Sequence, residues 1–523
     1  MNQNSSNSNQ DTDNTVYENS FSKYWKQILF VIFSLGLAIR LFLAPVDSPL
    51  ALDSLIYFWY AMDTKTLGYF PENYGFPNTG WPEWLSLVFM IIPSSEILDY
   101  MYAQKITSII ISSITVFPIF FLARKFFGIS ISLFGSFLFI IEPHLVLNSH
   151  LGITEPIFIL FVFTSIVFVL SENKKLTYIG FLFGGLSALV RYEGLLFLSI
   201  LSVMFFITHK GDSKKIIKYI LALSIFILIL IPFTYLRVQN IQDDGLTSHI
   251  AAGVITPLKL TENEENQGIS LLFFISDGLQ NLVKYTGWIM IPYFIILAPI
   301  GFFIILKNKN PNSLIFIFSV IVLSIPALYA YSRGIQETRY LLILMPFFTI
   351  FSLYFIEKIL MKKNRKLIIL SITIFVIFSS IVYLDYNKID STYEKESYLI
   401  SKQIGKLTMS VNEFYPESKY FKVAYIEDYQ YPILSKEIPI IQTITIEEYS
   451  NLIDLIRENQ KNNLTHLVID NKPERKQFLK EIFNNETKYP FLIKVFDSRE
   501  LNFKYSVKIF EIDYDKFQYL SHD

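Results

Sequence analysis

From Gln27 to about Leu384 the chain alternates long apolar runs with short polar breaks, and the segments on either side follow different patterns. A helix crossing a bilayer needs roughly 20 apolar residues, with about 17–25 tolerated. Runs near 27–44, 104–122, 129–147, 151–170, 177–190, 193–208, 216–236, 286–306, 314–331, 339–356 and 367–384 predict about 11 transmembrane helices. Trp84–Pro93 (WLSLVFMIIP) is too short to cross and is expected to lie in the interface or re-enter. Residues 1–26 are polar and predict a disordered tail. The first apolar run follows without a clear small-residue cleavage site, so it reads as a retained helix.

Beyond Asp385 the period changes. FKVAYI (421–426), PIIQTI (439–444), THLVID (465–470), FLIKVF (491–496) and YSVKIF (505–510) read as short buried strands, and 446–460 and 473–484 carry helical patterns. This alternation predicts a small α/β domain over 385–523. No Gly-rich phosphate loop accompanies it, which argues against a nucleotide cofactor.

Composition sharpens the class. Apolar residues make up 52% of the chain and charged residues 17%, against about 25% charged in a typical soluble domain; this excludes a cytosolic enzyme. A net charge of −1 gives no footprint for nucleic acid. The absence of cysteine excludes disulfides, thiol catalysis and cysteine metal sites, so any metal falls to Asp, Glu and the six histidines.

Basic residues set the expected orientation. With the N-terminus in the cytoplasm, Lys23, Lys26, Arg124, Lys125, Lys174, Lys175, the 210–218 lysines, Lys307, Lys309 and the 358–366 cluster all fall on cytoplasmic loops. An odd span count then places loops 45–103 and 237–285, and the α/β domain, outside.

Ionisable groups at membrane depth are costly and usually face a cavity or a partner. Five places qualify, all on the expected outer side. Asp53 follows helix 1 and precedes an aromatic run, with Arg40 near the helix end able to pair with this acidic loop. Glu83 stands between two tryptophans. Glu155 precedes Pro156 and an apolar run, with His150 within reach and Glu142 and His144 nearby. Arg191 and Glu193 form a turn between apolar runs too short to bring it to the surface. Arg333, Glu337 and Arg339 precede the run at 339–356, against the charge bias. Taken singly, each competes with an ordinary loop charge or structural ion pair. Together they describe an outward cavity of carboxylates and arginines at headgroup level. A carboxylate there can deprotonate an acceptor hydroxyl. Arginines, or a carboxylate-held divalent ion, can neutralise a departing lipid phosphate.

AIRLFLAPVDSPLALDSLIYFWYAM, SHLGITEPIFIL, SALVRYEGLLFL and TRYLLILMPFF resemble segments of the GT-C superfamily of integral-membrane glycosyltransferases, which includes protein O-mannosyltransferases, aminoarabinose transferases and lipopolysaccharide core galacturonosyltransferases. The resemblance implies an inverting transfer of a sugar from a polyprenyl- or dolichyl-phosphate donor to a surface glycan, lipid or protein. It implies that Asp53 is the catalytic base or a metal-site acid, Glu83 a metal ligand and Glu155 the second catalytic acid. Arg191, Arg333 and Arg339 are the expected phosphate-binding residues, with Arg40, Glu193 and His150 in support. An oligosaccharyltransferase-like enzyme is an alternative; its sequon-reading motif is matched only at Asp428 and Tyr429 in YIEDYQYPI. From another class, a transporter or flippase of lipid-linked glycans would place its charges near the midplane in paired repeats. Here they gather at the outer edge.

Overall fold

The computed structural model describes residues 6–45, 47–51, 53–71, 74, 78–241, 271–308, 311–360, 365–388, 390–414, 422–425, 442–445, 449–461 and 464–520. Residues 242–270 of the long predicted loop, and Asp428 and Tyr429, lie outside these. The chain divides into two compact units: Met1–Ala44, Gly75–Leu85 and Gln104–Lys388 form the first, and Pro45–Tyr74, Ser86–Ala103 and Ile389–Asp523 the second.

The first unit is helical because its apolar runs can satisfy their backbone groups only along the chain itself. Helix α1 spans Ser6–Leu43; it breaks at Tyr24 and reaches back into the stretch for which composition predicts no packed structure. A helix α2 (Asp53–Leu67) and a short α3 (Gly80–Met90) precede α4 (Ile97–Ile114) and α5 (Val116–Ala123). Then come α6 (Ile129–Ile140), α7 (Pro143–Ser149), α8 (Glu155–Val169), α9 (Leu176–Val190), α10 (Glu193–Thr208) and α11 (Lys215–Ile241). They are followed by α12 (Leu271–Ile289), α13 (Phe294–Asn308), α14 (Pro311–Ser332), a 3-10 turn (Thr338–Leu344), α15 (Met345–Leu360) and α16 (Arg365–Tyr386). Glu142 caps α7 by accepting from Leu145 N at 2.8 Å, with Pro143 at the first position, where no amide donor is needed. Helix α8 packs on α9, α9 on α10 and α11, and α10 on α14. Ser165 Oγ donates to Gly180 O at 2.7 Å across the α8–α9 seam.

Among the described residues, six helices are long and apolar enough to cross a membrane, or eight if two bent pairs each count as one span. The predicted figure of 11 is therefore not reproduced by length. Glu155–Val169, Leu176–Val190 and Glu193–Thr208 are apolar but short, about 22–24 Å at 1.5 Å per residue against a hydrocarbon core of about 30 Å. The charged turns at Glu155 and at Arg191–Glu193 cut these runs. The chain is an integral membrane protein by its apolar helices.

The second unit joins α2 and the 86–103 segment to the C-terminal domain. Phe58 packs against Phe89 and Phe89 against Tyr100, with ring centroids 5.7 and 5.4 Å apart. Tyr74 donates to the buried Asp63 at 2.6 Å. Lys395 pairs with Asp47 at 2.5 Å, and residues 45–74 and 86–103 of the expected loop belong to the same unit as the C-terminal residues, while 75–85 belong to the first.

The predicted α/β pattern appears as β1 (Lys422–Tyr425), β2 (Gln442–Thr445), β3 (Leu464–Asp470), β4 (Leu492–Asp497) and β5 (Val507–Ile512). Their order is β2-β1-β3-β5-β4. The β1 pairings with β2 and β3 are parallel, and those of β5 with β3 and β4 antiparallel. The period of two sorts the side chains. Leu467, Ile469, Phe510 and Ile512 share a core with α18 (Leu452–Gln460), α19 (Gln477–Asn484) and α20 (Tyr514–Leu520). Val468, Val507 and Ile509 face Ile400 and Ile404 of α17 (Thr392–Phe414). Each apolar face is covered by helix.

Candidate functional site

In the helical unit, the N-terminus of α8 and the α9–α10 turn bring two carboxyl side chains and a guanidinium together. Arg191 Nη1 lies 2.7 Å from Glu155 Oε1, and its Nη2 lies 2.7 Å from Glu193 Oε1. Its Nε also donates to Glu193 Oε1 at 3.1 Å, and Nη1 donates to Thr154 Oγ1 at 2.9 Å. Local geometry explains the turn. Arg191 is extended (φ −148°, ψ 137°), which ends α9 and lets α10 begin at Glu193. Gly194 then lies so close to α9 that a Cβ would meet Ala188 Cα at 2.5 Å, so only glycine permits this turn.

Glu155, Arg191 and Glu193 line a shallow recess with Phe158, Ile159, Leu323, Pro326, Arg339, Tyr340 and Ile343. Glu155 and Glu193 are buried. One oxygen of each, Oε2, is buried and accepts no hydrogen bond among the described residues. Leaving a buried polar group unsatisfied costs about 1–3 kcal/mol, and more when it is charged, so such atoms in a cavity wall mark capacity held for something else. Arg339 lines the recess and pairs with Glu337. Three carboxylates against two guanidiniums leave these groups a formal charge of −1.

The GWPE segment lies beside this turn. Trp81 is fully buried, and its Nε1 donates to Gly152 O at 3.0 Å, as Gln104 Nε2 does at 2.8 Å. At Gly80 a Cβ would meet Leu189 O at 2.9 Å, so the start of α3 abuts the end of α9, two residues before Arg191. Glu83, half-buried in the first turn of α3, has its carboxyl pushed up to about 7 by burial, against the opposing pull of Thr79 and Arg237. Arg237 was missed by sequence reasoning; the only signal was a cation closing the apolar run at 216–236.

The other predicted residues are distributed differently. Asp53 opens α2 in the second unit, in a helix first turn where a carboxylate is favoured by the macrodipole. Arg333 is exposed and lies over the Tyr329 ring. Arg40, expected near the acidic loop, is wholly buried in the helical unit. It donates to Ser112 Oγ at 3.2 Å, Gly36 O at 3.2 Å and Ile140 O at 2.7 Å, and Glu142 supplies a compensating charge. His150 is buried too, with Nε2 2.9 Å from Arg40 O. Glu142, His144 and Tyr383 form a chain, with Oε1–Nδ1 and Nε2–Oη separations of 2.8 Å each. These contacts tie α1, α4, α6, α7 and α16 together.

Asp53 and Glu83, expected to hold a metal, lie in different units, and among the described residues no group of three or more His, Asp or Glu side chains is placed to hold an ion. No step is derived through one.

No family model matches the chain, and no curated protein matches it. Solved structures do. The apo oligosaccharyltransferase of Archaeoglobus fulgidus aligns with a TM-score of 0.59 at 12% identity, over 86% of this chain and 70% of its own. The same archaeal enzyme, AglB, in complex with an inhibitory peptide and a dolichol-phosphate aligns at 0.57 and 13% identity over the same shares. ArnT from Cupriavidus metallidurans bound to undecaprenyl phosphate aligns at 0.57 and 10% identity, over 94% of this chain and 98% of its own. Both proteins are members of the GT-C superfamily, and this chain has the GT-C fold.

Proposed function

We propose that the protein is a glycosyltransferase that takes its sugar from a polyprenyl- or dolichyl-phosphate donor, with the N-terminus cytoplasmic and the site and α/β domain on the outer face. The observation that carries this reading is the buried Glu155–Arg191–Glu193 cluster lining a recess within a GT-C fold. Solved structures of that fold include one with dolichol-phosphate and one with undecaprenyl phosphate. Asp53 acts as base on the acceptor hydroxyl, removing its proton as the oxygen attacks the anomeric carbon and the lipid phosphate departs. Glu155, in the helical unit, is proposed as the second carboxylate of the chemistry. Arg339 and Arg333 are the guanidiniums proposed for the lipid phosphate, because Arg191 already serves two carboxylates. The acceptor is a surface glycan, lipid or protein.

The test is transfer by purified protein in detergent from a panel of polyprenyl-phosphate sugars, wild type against Asp53→Asn and Glu155→Gln. Turnover that both substitutions abolish while donor still binds supports the assignment. Equal turnover in Asp53→Asn removes that residue from the mechanism. Movement of lipid-linked glycan across proteoliposomes without transfer makes the protein a transporter instead.

A further inference from the structure

The recess has a chemical bias that differs from the one arginine-rich composition suggests. A phosphate wants free guanidinium N–H groups and positive charge. Arg191 here spends Nε, Nη1 and Nη2 on Glu155, Glu193 and Thr154. The charged side chains that line the recess, Glu155 and Glu193 against Arg191 and Arg339, balance, so it carries no net positive charge for a phosphate. Around Arg191 the wall offers acceptors, since Glu155 Oε2 and Glu193 Oε2 are buried, accept no hydrogen bond among the described residues and belong to side chains more than nine-tenths buried. Around them stand Phe158, Ile159, Leu323, Pro326, Tyr340 and Ile343, a largely apolar surround of the kind that seats a ring face.

We propose that this recess seats a neutral, polyhydroxylated ring whose hydroxyls donate to Glu155 Oε2 and Glu193 Oε2. Arg191 is then a positioning residue that fixes the two acceptors, not a ligand of phosphate. The inference rests on the glycosyltransferase reading only in naming the ring a sugar. The ring can come from the lipid-linked donor or from the acceptor.

The experiment is carbodiimide footprinting of the full chain in a sugar-free detergent, with Glu155 and Glu193 labelling read by mass spectrometry and Glu193→Gln marking the second site. The added probes are octyl glucoside, galactoside and mannoside below micelle concentration, undecaprenyl phosphate, and undecaprenyl phosphate glucose. The expected result is that a ring-bearing probe lowers labelling of both glutamates at least threefold while undecaprenyl phosphate does not. Protection by a free glycoside points to the acceptor, and protection by the lipid-linked glucose alone points to the donor sugar. Protection by undecaprenyl phosphate equal to that by the sugar-bearing probes, or by none of them, overturns the proposal. In Arg191→Lys the protection is expected to fall at least threefold, while undecaprenyl phosphate affinity, read by tryptophan fluorescence, stays within twofold. A tenfold loss of that affinity would make Arg191 a phosphate ligand. None of these readouts depends on turnover, so failure to find a transferable sugar leaves this result intact.

Discussion

The two units handle buried charge in different ways. In the α/β domain, Asp470 receives Arg475 at both oxygens, each at 2.9 Å, and the backbone N–H of Lys472. Asp497 likewise receives the Arg499 side chain at both oxygens. Buried Lys508 donates to Phe483 O at 2.6 Å and pairs with Glu486. At these three sites both carboxylate oxygens or the ammonium have partners, as expected where their role is to hold a turn or a strand end. In the helical unit, Arg191 is shared between two carboxylates, and each of them keeps a buried oxygen without a donor. Matched ion pairs serve the fold; the mismatched one, at the wall of a recess, is where the proposed ring would complete the bonding.

The largest expected effect tests that contrast directly. Glu155→Gln is expected to lower the rate of sugar transfer by roughly 10–100-fold, the range for losing a hydrogen bond to a charged acceptor, with a smaller fall in the thermal midpoint than Arg191→Met because Arg191 keeps Glu193. Asp470→Asn in the other unit should leave transfer within twofold. Comparable losses from both would erase the distinction.

Next comes stability. Arg191→Met strands two buried carboxylates and Arg475→Met strands one. Removing one partner of a buried pair costs about 3–5 kcal/mol, so unfolding in mixed micelles should rank Arg191→Met as the more damaging. Restoration of stability by adding Glu193→Gln to Arg191→Met would attribute the loss to charge rather than packing.

Glu83 gives a smaller, pH-dependent effect. Burial raises its pKa in the folded state to about 7, above its unfolded value near 4.5, so the folded protein binds the extra proton between those values. Stability should therefore decline as pH rises from about 4.5 to about 7 and level off beyond. Glu83→Gln should flatten that part of the curve; an unchanged slope assigns it to another group.

The smallest effect has the opposite sign. The Arg499 guanidinium, hydrogen-bonded to Asp497, holds that carboxyl down at about 2, from an ordinary 3.8. Its contribution is complete above pH 4 and lost as pH falls through 2. The stability gap between wild type and Asp497→Asn should close over that window, and a gap that persists at pH 2 would rule the ion pair out as its source.

The apolar runs fixed the membrane class, and the change of period beyond residue 385 fixed the five strands and the helices between them, because backbone satisfaction in lipid and the pleat of a sheet are both written in local pattern. The length of those runs also marks the Arg191–Glu193 turn as a charged break between two apolar helices too short to span a bilayer alone. Which charges meet was not written there. Nothing in the spacing of 155, 191 and 193 says that one guanidinium takes an oxygen from each glutamate, or that Arg40 and His150, equally plausible at the sequence level, serve as buried struts. Nor does local pattern tell that 45–74 and 86–103 belong with the C-terminal region in one compact unit, and 75–85 with the helices. Pairing of this kind spans 36 residues for Arg191 and Glu155 and 110 for His150 and Arg40. It is decided by how helices stack and where glycines such as Gly194 let backbones approach, a property of the assembled bundle.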